Sequence, residues 1–185
     1  MSLAAESAAA LFGCARILRR DVGGLAYFNA TEQGFWRSFT AAFALAPFYA
    51  LLTLINLGPD KSLLRVIPVE ISAYVIGWVT FPLVMVGLTR FLDRREHYFG
   101  YMVAYNWFRI AQALVLVPMA LFSPLDALPQ VAAAFIGSAL LLLMMSYDWF
   151  IARHALRLDG VAASGLVVID FILSLFISQI ARALA

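Results

Sequence analysis

Five apolar stretches of membrane-spanning length alternate with short polar breaks along the chain. A helix crossing the hydrocarbon core needs about 20 apolar residues, and only helices or closed barrels satisfy their backbone polar groups there. The pattern predicts spans at about 39–57, 69–88, 101–121, 131–151 and 161–180. The breaks carry turn and charge signals: Gly58-Pro59-Asp60, Pro68, the cluster from Arg90 to Glu96, Ser123-Pro124, Pro129 and Asp159-Gly160. Runs this continuous exclude porin-type strands, which alternate over about 10 residues. The fold class is therefore all-α, a polytopic membrane protein with five transmembrane helices. Pro47, Pro82 and Pro118 fall inside spans, where neighbouring helices can take up the carbonyls they free.

The chain divides into an arm with connector, 1–34, and a transmembrane domain, 35–185. Within the arm, 4–20 is helix-prone, with Leu11, Phe12 and Ile17 apolar and Arg16, Arg19 and Arg20 at its end. A secretory signal places positive charge before its apolar region, and here the order is reversed. The reading is an N-terminal amphipathic interfacial helix whose Arg16, Arg19 and Arg20 face anionic headgroups. A soluble oligomerisation arm is the competing reading.

Charge sets the expected orientation. Nine Lys and Arg fall on one side of an alternating five-span thread (Arg16, Arg19, Arg20, Arg37, Arg90, Arg94, Arg95, Arg153 and Arg157). Three fall on the other (Lys61, Arg65 and Arg182), and Arg109 is left inside a span. By the positive-inside rule the N-terminus is cytoplasmic and the C-terminus periplasmic, in a bacterial inner membrane. An even number of spans would scramble this partition.

Composition agrees, with 64% hydrophobic and 13% charged residues. The net charge of +2 is too small to imply a nucleic-acid partner. Cys14 is the single cysteine and cannot form an internal disulfide. Neither a phosphate loop nor a nucleophile elbow occurs, and no His, Cys and carboxylate set has metal-ligand spacing. His97 and His154 lie near helix ends, away from facing positions that paired haem ligands would need. The expectation is a non-enzyme with no cofactor and no metal. Asp148, His154 and Asp159, the nearest approach to a catalytic set, form no known pattern.

Ionisable side chains inside spans are costly and turn toward a partner in the bundle. Arg109 and Asp170 lie at one depth, roughly 13–15 Å from the cytoplasmic boundary at helical rise, so an interhelical ion pair is expected. Asn106, Arg109 and Gln112 recur at a spacing of three and read as one polar stripe. Asp170, Ser174 and Ser178 extend a second, and Asp148 enters the fourth span near the boundary. The candidate intramembrane cluster is thus Asn106, Arg109, Gln112, Asp148, Asp170 and Ser174. It reads either as a clamp between helices or as an anion or proton site reached from the cytoplasm. Glu70, near the start of the second span, reads as an acid complementing the helix dipole.

Five spans, an N-terminal cytoplasmic arm and an external C-terminus resemble the Yip1-like family of small membrane proteins. Gly100-Tyr101 and Pro118 resemble that family's Gly-Tyr-to-Pro segment. Gly34-Phe35-Trp36-Arg37-Ser38-Phe39 is similar to segments of small uncharacterised bacterial inner-membrane proteins. The resemblance covers roughly 34–185 and implies a non-enzymatic protein of the bilayer. The functional expectation is a membrane scaffold, adaptor or accessory subunit, with the lipid bilayer and a membrane-protein partner or second copy as its contacts. The alternative is a small transporter or channel using the polar cluster.

Overall fold

The computed structural model describes residues 2–58, 61–122 and 129–185. Pro59 and Asp60, and the segment 123–128 that holds Ser123-Pro124, lie outside the described residues. Seven α-helices follow one another: α1 (Leu3–Leu18), α2 (Glu32–Ser38), α3 (Thr40–Ile55), α4 (Leu63–Phe91), α5 (Tyr98–Phe122), α6 (Gln130–Ala155) and α7 (Gly160–Leu184). Short 3-10 turns occupy Val22–Tyr27 and Arg95–His97, and no strand occurs among the described residues.

Local chemistry explains the ends. Ser2, Thr31 and Asp159 cap α1, α2 and α7, each accepting a backbone N–H three residues on. The chain reverses after α1, α4 and α6 at Arg20, Asp93 and Arg157, all at positive φ near 55°. Glycine usually takes such positions. The predicted spans match α3 to α7 with shifted ends. Pro68, expected to open the second span, lies inside α4, which begins at Leu63. The helices run unbroken through Pro47, Pro82 and Pro118.

Among the described residues four segments are long and apolar enough to cross a membrane: Glu32–Ile55, Leu63–Phe91, Gln130–Ala155 and Gly160–Leu184. α5, the predicted third span, is not among them. It is instead the centre of the bundle, with every residue from Tyr101 to Phe108 buried. A helix enclosed on all sides over two turns has neighbours all round. α1, α2, α3 and α6 pack against it, α4 leans on both α5 and α7, and α7 packs on α4 and α6.

The buried residues are not spread evenly along the bundle. They gather toward the end where α4 and α6 finish and α5 and α7 begin: Trp78, Phe81, Met85, Thr89, Met102, Phe108, Ile151, Leu156, Ala163 and Leu166. The opposite halves of α4, α6 and α7 are mostly exposed or half-buried. The helices are therefore tightly packed at one end and more open at the other.

The N-terminal arm docks on the packed end. α1 buries Glu6, Ala10, Gly13, Cys14 and Ile17 against the bundle, while Arg16 is half-buried and Arg19 and Arg20 are exposed. Its outer side carries Leu3, Leu11, Phe12 and Leu18. Glu6, 3% exposed, pairs with Arg37 Nη1 at 2.8 Å and accepts from Asn29 Nδ2 at 3.1 Å. That buried pair ties α1 to α2. Gly34 makes the same corner possible, because a side-chain carbon there would enter the backbone oxygen of Asn29. Gly34→Ala is expected to destabilise the fold by about 2 kcal/mol through overpacking. Thermal unfolding of the purified protein in detergent measures it, and an unchanged midpoint would refute this account of the corner.

Candidate polar site

Inside an apolar helical bundle, buried polar side chains are held by hydrogen bonds to their neighbours. α5 supplies such bonds on more than one face. Arg109 donates from Nη2 to the Tyr105 hydroxyl one turn earlier. That hydroxyl donates in turn to Asp170 on α7, 2.8 and 2.9 Å from its two carboxylate oxygens. The guanidinium lies over the rings of Trp78, at 5.1 Å, and Tyr105, at 4.7 Å. Such stacking favours the cation in a site removed from water.

The expected direct ion pair between Arg109 and Asp170 is therefore replaced by a bridge through Tyr105. Among the described residues the ion pairs are Arg16–Asp21, Arg37–Glu6 and His97–Glu96. Arg109 and Asp170 both meet the Tyr105 hydroxyl, so a phenol stands between them.

Gln112 makes the second link, its Nε2 donating to both oxygens of Asp148 on α6 at 2.9 and 3.0 Å. Asn106 makes a third, in another direction. Its Nδ2 donates to Ser38 Oγ at 2.8 Å, at the corner between α2 and α3, and its Oδ1 has no partner. Asn106 thus leaves the predicted cluster. Two steps of three residues drift about 120° around a helix, so Asn106 and Gln112 point to different neighbours. Ser174 lies beside Arg109, Asp148 and Asp170 along a cavity of about 280 Å³ between α5, α6 and α7.

The packed core of Tyr101, Met102, Ile151, Ala152, Ala163 and Leu166 lies between this cavity and the arm end. The cavity continues instead past Leu116, Leu141 and Leu175 toward the open end. A second space, a crevice of about 370 Å³ between α4 and α7, reaches Arg109 from its other side. Glu70 lines that crevice. It lies beyond the first turn of α4 and accepts a hydrogen bond from Tyr49 on α3 at 2.6 Å. Its role is a bond between helices rather than a dipole complement.

The arm arginines also differ from expectation. Arg20 donates to Ser146, to its carbonyl at 2.8 Å and its hydroxyl at 2.5 Å, and lies over the Tyr147 ring at 4.1 Å. Arg16 pairs with Asp21 at 2.5 Å. Arg19 is exposed. Arg20 thus ties the arm to α6, while Arg16 bonds within the arm. The Arg16 guanidinium, helped by the Gly23 N–H, keeps the Asp21 carboxyl below the usual carboxylate range. The bond contributes above that range and fades as pH falls through the lowered value. Burial pushes the Cys14 thiol up to about 12, so it is a packing group rather than a nucleophile. Among the described residues no group of three or more His, Cys, Asp and Glu could hold a metal ion.

Sequence reasoning missed Tyr105, Ser38, Glu6 and Tyr49. Tyr105 was the findable one, a phenol one turn from the arginine inside an apolar run. No known protein family matches the chain, and neither a curated protein nor a solved structure similar to it is found.

Tyr105→Phe keeps the ring and removes the bridge. It is expected to cost about 1–2 kcal/mol, toward the upper end of measured intramembrane polar contacts. In a double-mutant cycle with Asp170→Asn the two losses are expected to be non-additive. Additive losses in detergent unfolding would show that the hydroxyl does not couple α5 to α7.

Proposed function

We propose that the chain is a non-catalytic integral membrane scaffold or accessory subunit that crosses the bilayer five times. α5 is the fifth crossing: its 25 residues reach about 37 Å at helical rise, and its polar side chains turn into the bundle. In this reading the arm end faces the cytoplasm of a bacterium and the C-terminus faces the periplasm. The Yip1-like resemblance is part of the same proposal, as an architecture of non-enzymatic membrane organisers.

The observation that carries the reading is the use made of the polar groups of α5. Tyr105, Asn106, Arg109 and Gln112 are bonded to one another or to α6, α7 and the α2–α3 corner. They serve as joints of a rigid body. The outer side of α1 offers Leu11 at 45% and Phe12 at 53% exposure, a contact surface beside the bilayer. Phe12 also stacks edge-on against Tyr27. A membrane-protein partner seated there, or a second copy, would cover these side chains.

Leu11→Glu with Phe12→Glu is expected to release the partner while the bundle stays inserted and keeps its melting temperature. The readout is native extraction followed by identification of copurifying proteins. A wild-type chain that extracts alone and monodisperse would defeat the scaffold reading. Labelling of the two termini from opposite sides of the membrane tests the five crossings separately.

The cavity beside Arg109, Asp148 and Asp170 favours a second reading, a small transporter. It predicts proton or ion flux in proteoliposomes that Asp170→Asn abolishes without loss of fold. The scaffold reading predicts no flux above empty vesicles, followed with an entrapped pH dye and an imposed potential.

A further inference from the structure

α3 and α4 run antiparallel and are bridged at two points, Tyr74 Oη to the Ala42 carbonyl at 2.5 Å and Tyr49 to Glu70. Between them lies a groove of about 600 Å³ whose walls are almost wholly apolar, with Phe43, Ala46, Leu54, Ile71, Val75 and Val79 among them. The polar crevice between α4 and α7 adjoins it. Tyr49, Glu70, Tyr74 and Trp78 line both spaces.

Unmet hydrogen-bond donors distinguish the crevice. A guanidinium carries five N–H donors. Among the described residues Arg109 gives one hydrogen bond, to Tyr105, and its remaining donors have no protein acceptor. Arg182, in the last turn of α7, lines the same crevice. So do Ser174 and Ser178, one turn apart on α7. Ser72, Thr80, Thr89 and Ser164 return their hydroxyls to the carbonyl one turn back. Ser174 and Ser178 show no such bond, and their hydroxyls remain for another acceptor. Glu70, the one carboxylate in the lining, is engaged by Tyr49.

We propose that the groove and the crevice form one binding site for a lipid of the surrounding bilayer with an anionic headgroup. The acyl chain lies along the α3–α4 groove, and the phosphate oxygens meet Arg109, Arg182, Ser174 and Ser178. An apolar helix from a second copy would fill the groove but leave the guanidinium donors unmet. A free anion would satisfy the donors but leave the groove without its apolar occupant. Both volumes lie within or near the range of ordinary ligand pockets. The inference needs the membrane setting proposed above but not the scaffold role, so loss of a protein partner leaves it standing.

Native mass spectrometry of the full chain, delipidated in a nonionic detergent, tests the site. Phosphatidylglycerol and phosphatidylcholine of equal acyl chains are titrated in parallel. One phosphatidylglycerol is expected to be retained, with phosphatidylcholine, which brings the same phosphate but sets its choline cation beside the two arginines, weaker by about tenfold. Arg182→Gln, at an exposed position, is expected to erase that preference with the melting temperature unchanged. Gly77 lines the crevice, and a side-chain carbon there meets open space. Gly77→Phe is therefore expected to block retention by filling the crevice from within.

Equal retention of the two lipids would overturn the proposal, as would retention that neither variant alters. A dimer that Gly77→Phe dissolves would overturn it in favour of a second copy. Full displacement of the lipid by inorganic phosphate would overturn it in favour of a free anion. Should Gly77→Phe fail to fold, Arg182→Gln alone decides the matter.

Discussion

A guanidinium inside an apolar bundle constrains everything near it. A charged side chain taken out of water is costly unless it is paired, and the cost grows when its donors find nothing to meet. Here Arg109 lies between the Trp78 and Tyr105 rings, and Tyr105 carries its charge on to Asp170. The same helix fixes itself to α6 through Gln112 and to the α2–α3 corner through Asn106. Three bonds in three directions set both the rotation and the depth of α5. A sliding or turning helix would break all of them together. The burial of Tyr101 to Phe108 follows from this, because a helix held on several sides has little surface left for lipid.

The long helices were legible because a run of about 20 apolar residues between turn signals reads plainly as one helix, and four of the five are long and apolar enough to cross a membrane. The ends were less so. Pro68 reads as a boundary in sequence, yet it is the sixth residue of α4, which starts at Leu63 and runs through it as it does through Pro82. Opposite charges at one depth correctly placed Arg109 near Asp170, but a spacing argument sees only ionisable groups and passes over a phenol such as Tyr105. The stripe drawn through Asn106 erred for a geometric reason, since repeated steps of three rotate away from a single face. The arm misled for another. Its alternation of apolar and basic residues suits a membrane surface and a protein surface equally, and only the fold shows Arg20 reaching Ser146 across the sequence.

That docking makes the arm part of the bundle's architecture. Glu6 is buried against the half-buried Arg37 and against Asn29, so a pair whose carboxylate is removed from water locks the first helix to the second. Breaking a buried pair from one side leaves the other charge stranded, which costs more than the pair gains. Glu6 and Arg37 therefore specify a single docked position. Arg20 and Tyr147 add a second fastening, since Tyr147 returns a bond to the Leu18 carbonyl at 3.0 Å. With the arm fixed at two points, the packed end of the bundle is closed by the protein's own chain.

The polar groups divide along the axis in the same way as the packing. Toward the packed end they meet one another: Asn106 with Ser38, Tyr105 with Asp170, Gln112 with Asp148. Toward the open end Ser174, Ser178 and Arg182 line a crevice without such partners. Arg109 belongs to both groups, bonded on one side and facing the crevice on the other. The clamp and the binding site are consequently not rival accounts of this residue. Holding α5 rigidly is what keeps the remaining guanidinium donors aimed into the crevice, because a cation free to swing would find its own carboxylate instead. In this bundle the structural bond through Tyr105 is the condition for any recognition by Arg109.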